Sequence, residues 1–130
     1  MTTGLFGTDG IRGRAFDPPL DEPTVAGLGA SLSRVFIRHT GKADILLAGD
    51  TRASTRALAG WLHRGIAAGG GTITWGGVLP TPAVSFLLCE GPWSGGIVIS
   101  ASHNPAEDNG IKVLSKTGEK APKSLSLIHI

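Results

Sequence analysis

The sequence predicts an α/β domain of three layers, with a mostly parallel sheet, mixed at one side, flanked by helices. Three observations support that class. Short, wholly apolar runs such as Ile45–Ala48 and Ile97–Ile99 read as strands buried on both faces. Segments with apolar residues at helical spacing lie between them. The order strand, helix, strand, helix, strand at short intervals is that of right-handed crossover units. With 130 residues, 41% hydrophobic and 17% charged, the chain has the size and make-up of one globular domain.

Residues 4–14 read Gly-Leu-Phe-Gly-Thr-Asp-Gly-Ile-Arg-Gly-Arg. Glycine every third residue makes neither a good helix nor a good strand interior, so a loop that approaches something closely is expected. The guanidinium of Arg12 within it suits a phosphate or a carboxylate. A mobile N-terminal arm with a solvated Arg12 is the alternative. Asp17–Pro23 is a turn leading into a helix, with Asp21 or Glu22 as cap and Pro23 in the first turn. Val25, Leu28, Leu32, Val35 and Phe36 give that helix one buried stripe, and it should stop near His39-Thr40-Gly41.

The strand Ile45–Ala48 is followed by the loop Gly49-Asp50-Thr51-Arg52-Ala53-Ser54. From Ser54 a second helix carries Leu58, Trp61, Leu62 and Ile66 on one face and ends in Gly69-Gly70-Gly71. Thr72–Trp75 alternates as a strand should. Pro80-Thr81-Pro82 is a rigid connection into a helical run through Ala83, Phe86 and Leu87, which ends before Gly91-Pro92. Cys89 within it reads as a small core residue. The strand Ile97–Ile99 comes next, then Asn109-Gly110 as a turn and a strand near Ile111–Leu114. That last strand follows too soon for a helical crossover, so it should pair antiparallel.

Composition excludes several functions. A net charge of +2 is too weak to argue for nucleic acid or an anionic membrane surface. A single cysteine rules out an internal disulfide framework and a Cys-rich zinc site, and fits a reducing compartment. No signal peptide is visible in the opening residues, and no apolar run approaches the length of a membrane span. A cytoplasmic protein is expected.

The chemistry is expected at Ile99-Ser100-Ala101-Ser102-His103-Asn104-Pro105. There the chain passes from strand formers to small polar residues, and Pro105 keeps Asn104 out of a helix. A hydroxyl, an imidazole and a carboxamide then stand at the C-terminal lip of a strand, where open α/β sheets hold ligands. Ser102 is read as the reactive residue. Ser100, two residues nearer the strand, is expected to be held in backbone hydrogen bonding. A Ser-His hydrolase is excluded because adjacent loop residues rarely let the imidazole reach the hydroxyl. An Asn-Pro turn with incidental polar residues is the alternative.

Five strings occur in order: Phe6-Gly7-Thr8-Asp9-Gly10-Ile11-Arg12-Gly13; Gly49-Asp50-Thr51-Arg52 with Ser54; Pro80-Thr81-Pro82; Ile99–Pro105; and Asp108-Asn109-Gly110-Ile111-Lys112. Together, from about residue 4 to about residue 120, they resemble the first domain of the α-D-phosphohexomutases. The opening string is most similar to the bacterial phosphoglucosamine mutase branch. The resemblance implies that Ser102 is phosphorylated. It would give its phosphoryl group to a sugar phosphate, and the hexosamine or hexose bisphosphate intermediate would reorient and return the other. In that branch the reaction interconverts glucosamine 6-phosphate and glucosamine 1-phosphate, on the route to UDP-N-acetylglucosamine. Phosphoglucomutase/phosphomannomutase activity, or a non-catalytic sugar-phosphate-binding module, are the alternatives.

By that resemblance Ser102, His103, Lys112 and Arg12 are the catalytic set, and Asn104 joins them in binding phosphate. Lys112 is either a proton shuttle or a fixed positive charge. Asp50 and Arg52 are expected to pair and hold the loops together rather than act directly. Complete members have four domains, with the site in the cleft between them. Their Mg2+ is bound by the phosphoserine and by an Asp-x-Asp-x-Asp loop of the second domain. No Asp-x-Asp occurs in this sequence, so Ser102, through its phosphate, is the one metal ligand expected here. Domains II–IV and a phosphosugar are the partners implied, with room for a homodimer and none for nucleic acid or membrane. Residues 1–120 are read as domain I and 121–130 as a truncated end. Leu125–Ile130 matches one reading frame of a common transposon sequencing adaptor, so those six residues are expected to be foreign and His129 receives no role. A short edge strand is the alternative for them.

Overall fold

The computed structural model describes residues 10–118. The residues before Gly10, which hold half of the Phe-Gly-Thr-Asp string, and those from Glu119 to Ile130 lie outside the described residues. The elements are β1 (Ile11–Arg14), α1 (Glu22–Thr40), β2 (Asp44–Gly49), α2 (Thr55–Ala68), β3 (Thr72–Val78), α3 (Thr81–Glu90), β4 (Gly95–Ile99) and β5 (Asp108–Ser115). One sheet holds all five strands in the order β1-β5-β4-β2-β3. β2 pairs parallel with β3 and β4, whereas β5 is antiparallel to both β4 and β1. Four strands therefore point one way and β5 alone is reversed, which is the mixed sheet expected.

Two helices cover one face and one covers the other. Ile45 and Leu47 of β2 pack with Leu28, Leu32 and Phe36 of α1 and Leu58, Leu62 and Ile66 of α2. The intervening Leu46 and Ala48 point the opposite way, onto Val84 and Leu88 of α3. An all-apolar strand is thus explained by alternation between two cores. Asp21 stands at the N-cap of α1 as expected, but its carboxylate makes no capping bond. Gly41, at φ +90°, ends the helix by donating its N–H to the Ile37 carbonyl.

α1 and α2 cross at very short range. A Cβ on Gly65 would lie 1.9 Å from the Ala26 carbonyl oxygen, and one on Gly29 would lie 2.7 Å from that of Leu62. These glycines, unfavourable in a helix interior by themselves, are what let the two backbones approach.

Three expectations are corrected. Arg12 is not in a loop: Ile11–Arg14 pairs along β5 as the edge strand, outside the reversed one. The glycines hid that strand, because they lower strand propensity while leaving backbone pairing intact. β3 runs on to Val78 rather than ending at Trp75. Leu47 pairs with Trp75 but Ala48 with Gly77, so Gly76 is the extra residue of a bulge. Cys89 is exposed rather than in the core. The inward positions of α3 are Val84 and Leu88, four apart, and Cys89 falls beside them, its thiol donating to the Thr117 carbonyl at 3.0 Å. No helix among the described residues is long and apolar enough to cross a membrane.

Candidate functional site

The C-terminal ends of β2 and β4 meet where the Asp50 N–H donates to the Ile99 carbonyl at 3.0 Å. This brings the loop between β2 and α2 against the Ser102 loop between β4 and β5. The Ser102 loop is built of two successive turns. In them the N–H of Asn104 donates to the Ala101 carbonyl and that of Asp108 to the Pro105 carbonyl, each at 3.0 Å. Ser102 lies exposed at the crest with φ +53°, a left-handed conformation that a residue with a Cβ adopts only under constraint. Its N–H donates to Ser100 Oγ at 3.1 Å. Ser100 is thereby committed to the backbone, as expected, while the Ser102 hydroxyl makes no hydrogen bond to a described residue.

Arg52 lies under this loop. Its Nε donates to Asp50 Oδ2 at 3.0 Å, its Nη2 to the Ser102 carbonyl at 2.8 Å, and its Nη1 to the carbonyls of Pro105 and Asp108. The expected Asp50–Arg52 pair is present. Burial pushes the Asp50 carboxyl's pKa up, but bonds from the Arg52 N–H, the Thr55 and Ser100 hydroxyls and the Arg52 side chain outweigh it and hold it below the ordinary value. A depressed carboxylate contributes stability above its unfolded pKa of about 3.9, and that contribution disappears as pH falls through the folded value. Urea midpoints measured from about pH 5 to about pH 2 should therefore fall more steeply for the unsubstituted chain than for Asp50→Asn. Asp44, whose pKa is lowered by Thr72 and Lys42, is common to both proteins and cancels.

Arg12 pairs across to Gly110 in β5, so its side chain shares a face with Lys112, two residues further along. Gly110 makes room for it: the Arg12 Cγ lies 3.1 Å from where a Cβ on Gly110 would stand. One Nη of Arg12 reaches Asn104 Oδ1 at 3.5 Å, while its buried Nε has no partner. Asn104 Nδ2 donates to Asp108 Oδ2 at 3.1 Å. Neither Lys112 nor exposed His103 has a hydrogen bond or ion pair to a described residue. The structure thus joins Arg12, Asn104 and the Ser102 loop directly, sets Lys112 on the same sheet face, and leaves His103 turned to solvent beside Ser102.

Asn109 was legible in the sequence only as part of a turn. It is fully buried, and its Nδ2 donates to Ser54 Oγ at 2.8 Å and Thr55 Oγ1 at 3.1 Å, while its Oδ1 accepts from the Gly110 N–H at 2.8 Å. Thr55 in turn donates to Asp50 Oδ1 at 3.0 Å. A satisfied polar network therefore ties β5 and the start of α2 to the Asp50–Arg52 pair. The Asn-Gly string carries no signal for such a role, because the same pair is the common turn former.

Residues 3–128 match the family model "Phosphoglucomutase/phosphomannomutase, alpha/beta/alpha domain I". The chain belongs to this family. It is 42% identical over 128 residues to phosphoglucosamine mutase of Solibacter usitatus, covering 98% of this chain and 29% of that protein. To phosphoglucosamine mutase of Escherichia coli it is 46% identical over 120 residues, covering 92% of this chain and 27% of the other. A phosphoglucomutase/phosphomannomutase family protein from Burkholderia thailandensis superposes with a TM-score of 0.78 at 26% identity, over 98% of this chain and 29% of that one. The chain therefore spans under a third of the length of the relatives it matches, and those relatives are phosphohexose mutases.

Proposed function

We propose that the chain is the phosphoserine-bearing part of a phosphoglucosamine mutase, interconverting glucosamine 6-phosphate and glucosamine 1-phosphate. One observation carries the reading. Arg12 and Lys112 share one face of the sheet, Arg12 reaches Asn104 of the Ser102 loop, and neither cation has an acidic partner among the described residues. Two unneutralised cations on one sheet face, one of them bonded to the loop of a constrained serine, suit a phosphoryl group, whose transfer depends on alignment and on neutralising spread negative charge. In the forward step the bond from Ser102 Oγ to phosphorus breaks as a sugar hydroxyl oxygen bonds to phosphorus. The hydroxyl proton leaves to water and the departing Ser102 Oγ takes one up from water, with Lys112 as a fixed positive charge, and the same groups serve the reverse step on the other phosphate. Arg12, His103 and Asn104 supply hydrogen bonds around the transferred group.

Magnesium belongs to this reading as an ion that would offset phosphoryl charge. Among the described residues no group of three His, Cys, Asp or Glu side chains could hold a metal ion. This chain's donors alone do not fit one, and the phosphate on Ser102 would be its sole contribution. A hexosamine bisphosphate is the intermediate and activator that the reading requires.

The test is a chimaera in which residues 1–118 replace the matching segment of the Escherichia coli relative. Turnover of glucosamine 6-phosphate is expected. A folded chimaera that converts glucose or mannose phosphates in preference, or none, would contradict the assignment. In the same background Arg12→Ala should lower kcat on the order of a hundredfold. Its melting temperature should move little, because an edge-strand arginine contributes little to the core. Unfolding of that variant would mean that Arg12 is structural.

A further inference from the structure

We propose that Arg52 is a positioning residue that fixes the phosphate-carrying serine from beneath, without touching substrate; the proposal rests on the phosphoryl reading of Ser102. The two turns of the loop direct three carbonyls, from Ser102, Pro105 and Asp108, toward one point. The Arg52 guanidinium occupies it, bonding to all three and to Asp50. A planar fork of five donors can serve such a set, whereas an ammonium, a compact point charge, cannot span it.

The contrast with Arg12 is decisive. The Arg52 side chain is only 12% exposed and has carried out most of its hydrogen bonding, whereas Arg12 has an unpartnered Nε and one long contact. The first has little left to offer an anion and the second has nearly everything. Holding the Ser102 carbonyl inward also fixes the sense of the left-handed turn, so that the hydroxyl stays on the solvent side. Asp50 neutralises the guanidinium and is itself tied through Thr55 to Asn109, so the clamp is anchored in α2 and β5 rather than in the loop it holds.

Amide hydrogen exchange on the full chain tests the clamp independently of the chemistry. In Arg52→Ala, exchange at Asn104 and Asp108 should accelerate about tenfold to a hundredfold while the β2 and β4 amides change little. Arg52→Lys should show the same loop effect, which keeps the test sound if the alanine variant folds poorly. Guanidinium ion, at concentrations well below those that unfold proteins, should partly restore protection in the alanine variant. The second measurement follows the 31P resonance of phosphoserine installed at position 102. With Arg12 bonded to Asn104 of the same loop, its second pKa should lie below the ordinary value of about 6, and in Arg52→Ala it should return toward that value. Unchanged loop exchange in both variants overturns the clamp. An ordinary phosphate pKa in the unsubstituted chain overturns the phosphoryl reading, and the positioning role with it, even where the loop exchange behaves as expected.

Discussion

Alanine in place of Ser102 is expected to abolish mutase turnover in the chimaera with the Escherichia coli relative, by roughly 10⁴-fold or more. The size follows from the role. If the serine oxygen carries the phosphoryl group between two hydroxyls, no neighbouring group can substitute for it. Ser100 is two residues away, but its oxygen accepts the Ser102 N–H. Stability should change by less than about 0.5 kcal/mol, because the hydroxyl is exposed and alanine keeps the same Cβ at the same φ. Steady-state assay with a thermal melt separates the two effects. Retained turnover would place the nucleophile elsewhere.

The second large effect lies far from the site. Gly65→Ala should destabilise the chain by about 3 kcal/mol, near the upper end of overpacking costs. The new methyl would meet the Ala26 carbonyl oxygen at 1.9 Å, and that oxygen belongs to a helix backbone rather than to a side chain that can turn aside. Relief requires α1 and α2 to move apart, which loosens Leu28, Leu32, Leu62 and Ile66 together. Gly60, in the same helix, is the control. A Cβ there meets nothing within 4 Å. Gly60→Ala should stabilise by about 0.5–1 kcal/mol through helix propensity alone. Denaturant midpoints of the two variants should move in opposite directions, and equal shifts would mean that the helices do not cross where the glycines place them.

The strands and helices between Glu22 and Ile99 were legible because buried parallel strands and amphipathic helices leave strong patterns. Ile45–Ala48 is apolar throughout since it feeds two cores, and the α1 stripe from Val25 to Phe36 follows the helical period. The edge strand β1 was not legible. Its pairing is a matter of backbone alone, and Gly10 and Gly13 carry no pattern. Cys89 and the bulge at Gly76 were missed for a related reason: each depends on a shift of one position, below what periodicity resolves. At the site, the serine loop and Arg12 stood out by residue type and spacing. Asn109 did not, because its function is to be satisfied inside a network assembled from β5 and the start of α2. The division of labour between two arginines is legible in part, since the sequence leads to Arg12 at the phosphate and to Arg52 in a pair with Asp50 that holds the loops. What the sequence does not show is that Arg52 bonds to the carbonyls of Ser102, Pro105 and Asp108, while Arg12 keeps one long bond to Asn104.

The proposed chemistry depends on which oxygen carries the phosphate. Peptide mass spectrometry of the chimaera, after incubation with a hexosamine 1,6-bisphosphate, measures this directly. A single phosphate on Ser102 is the predicted result. A phosphate on Ser100 with Ser102 bare, or none on either residue, would contradict it.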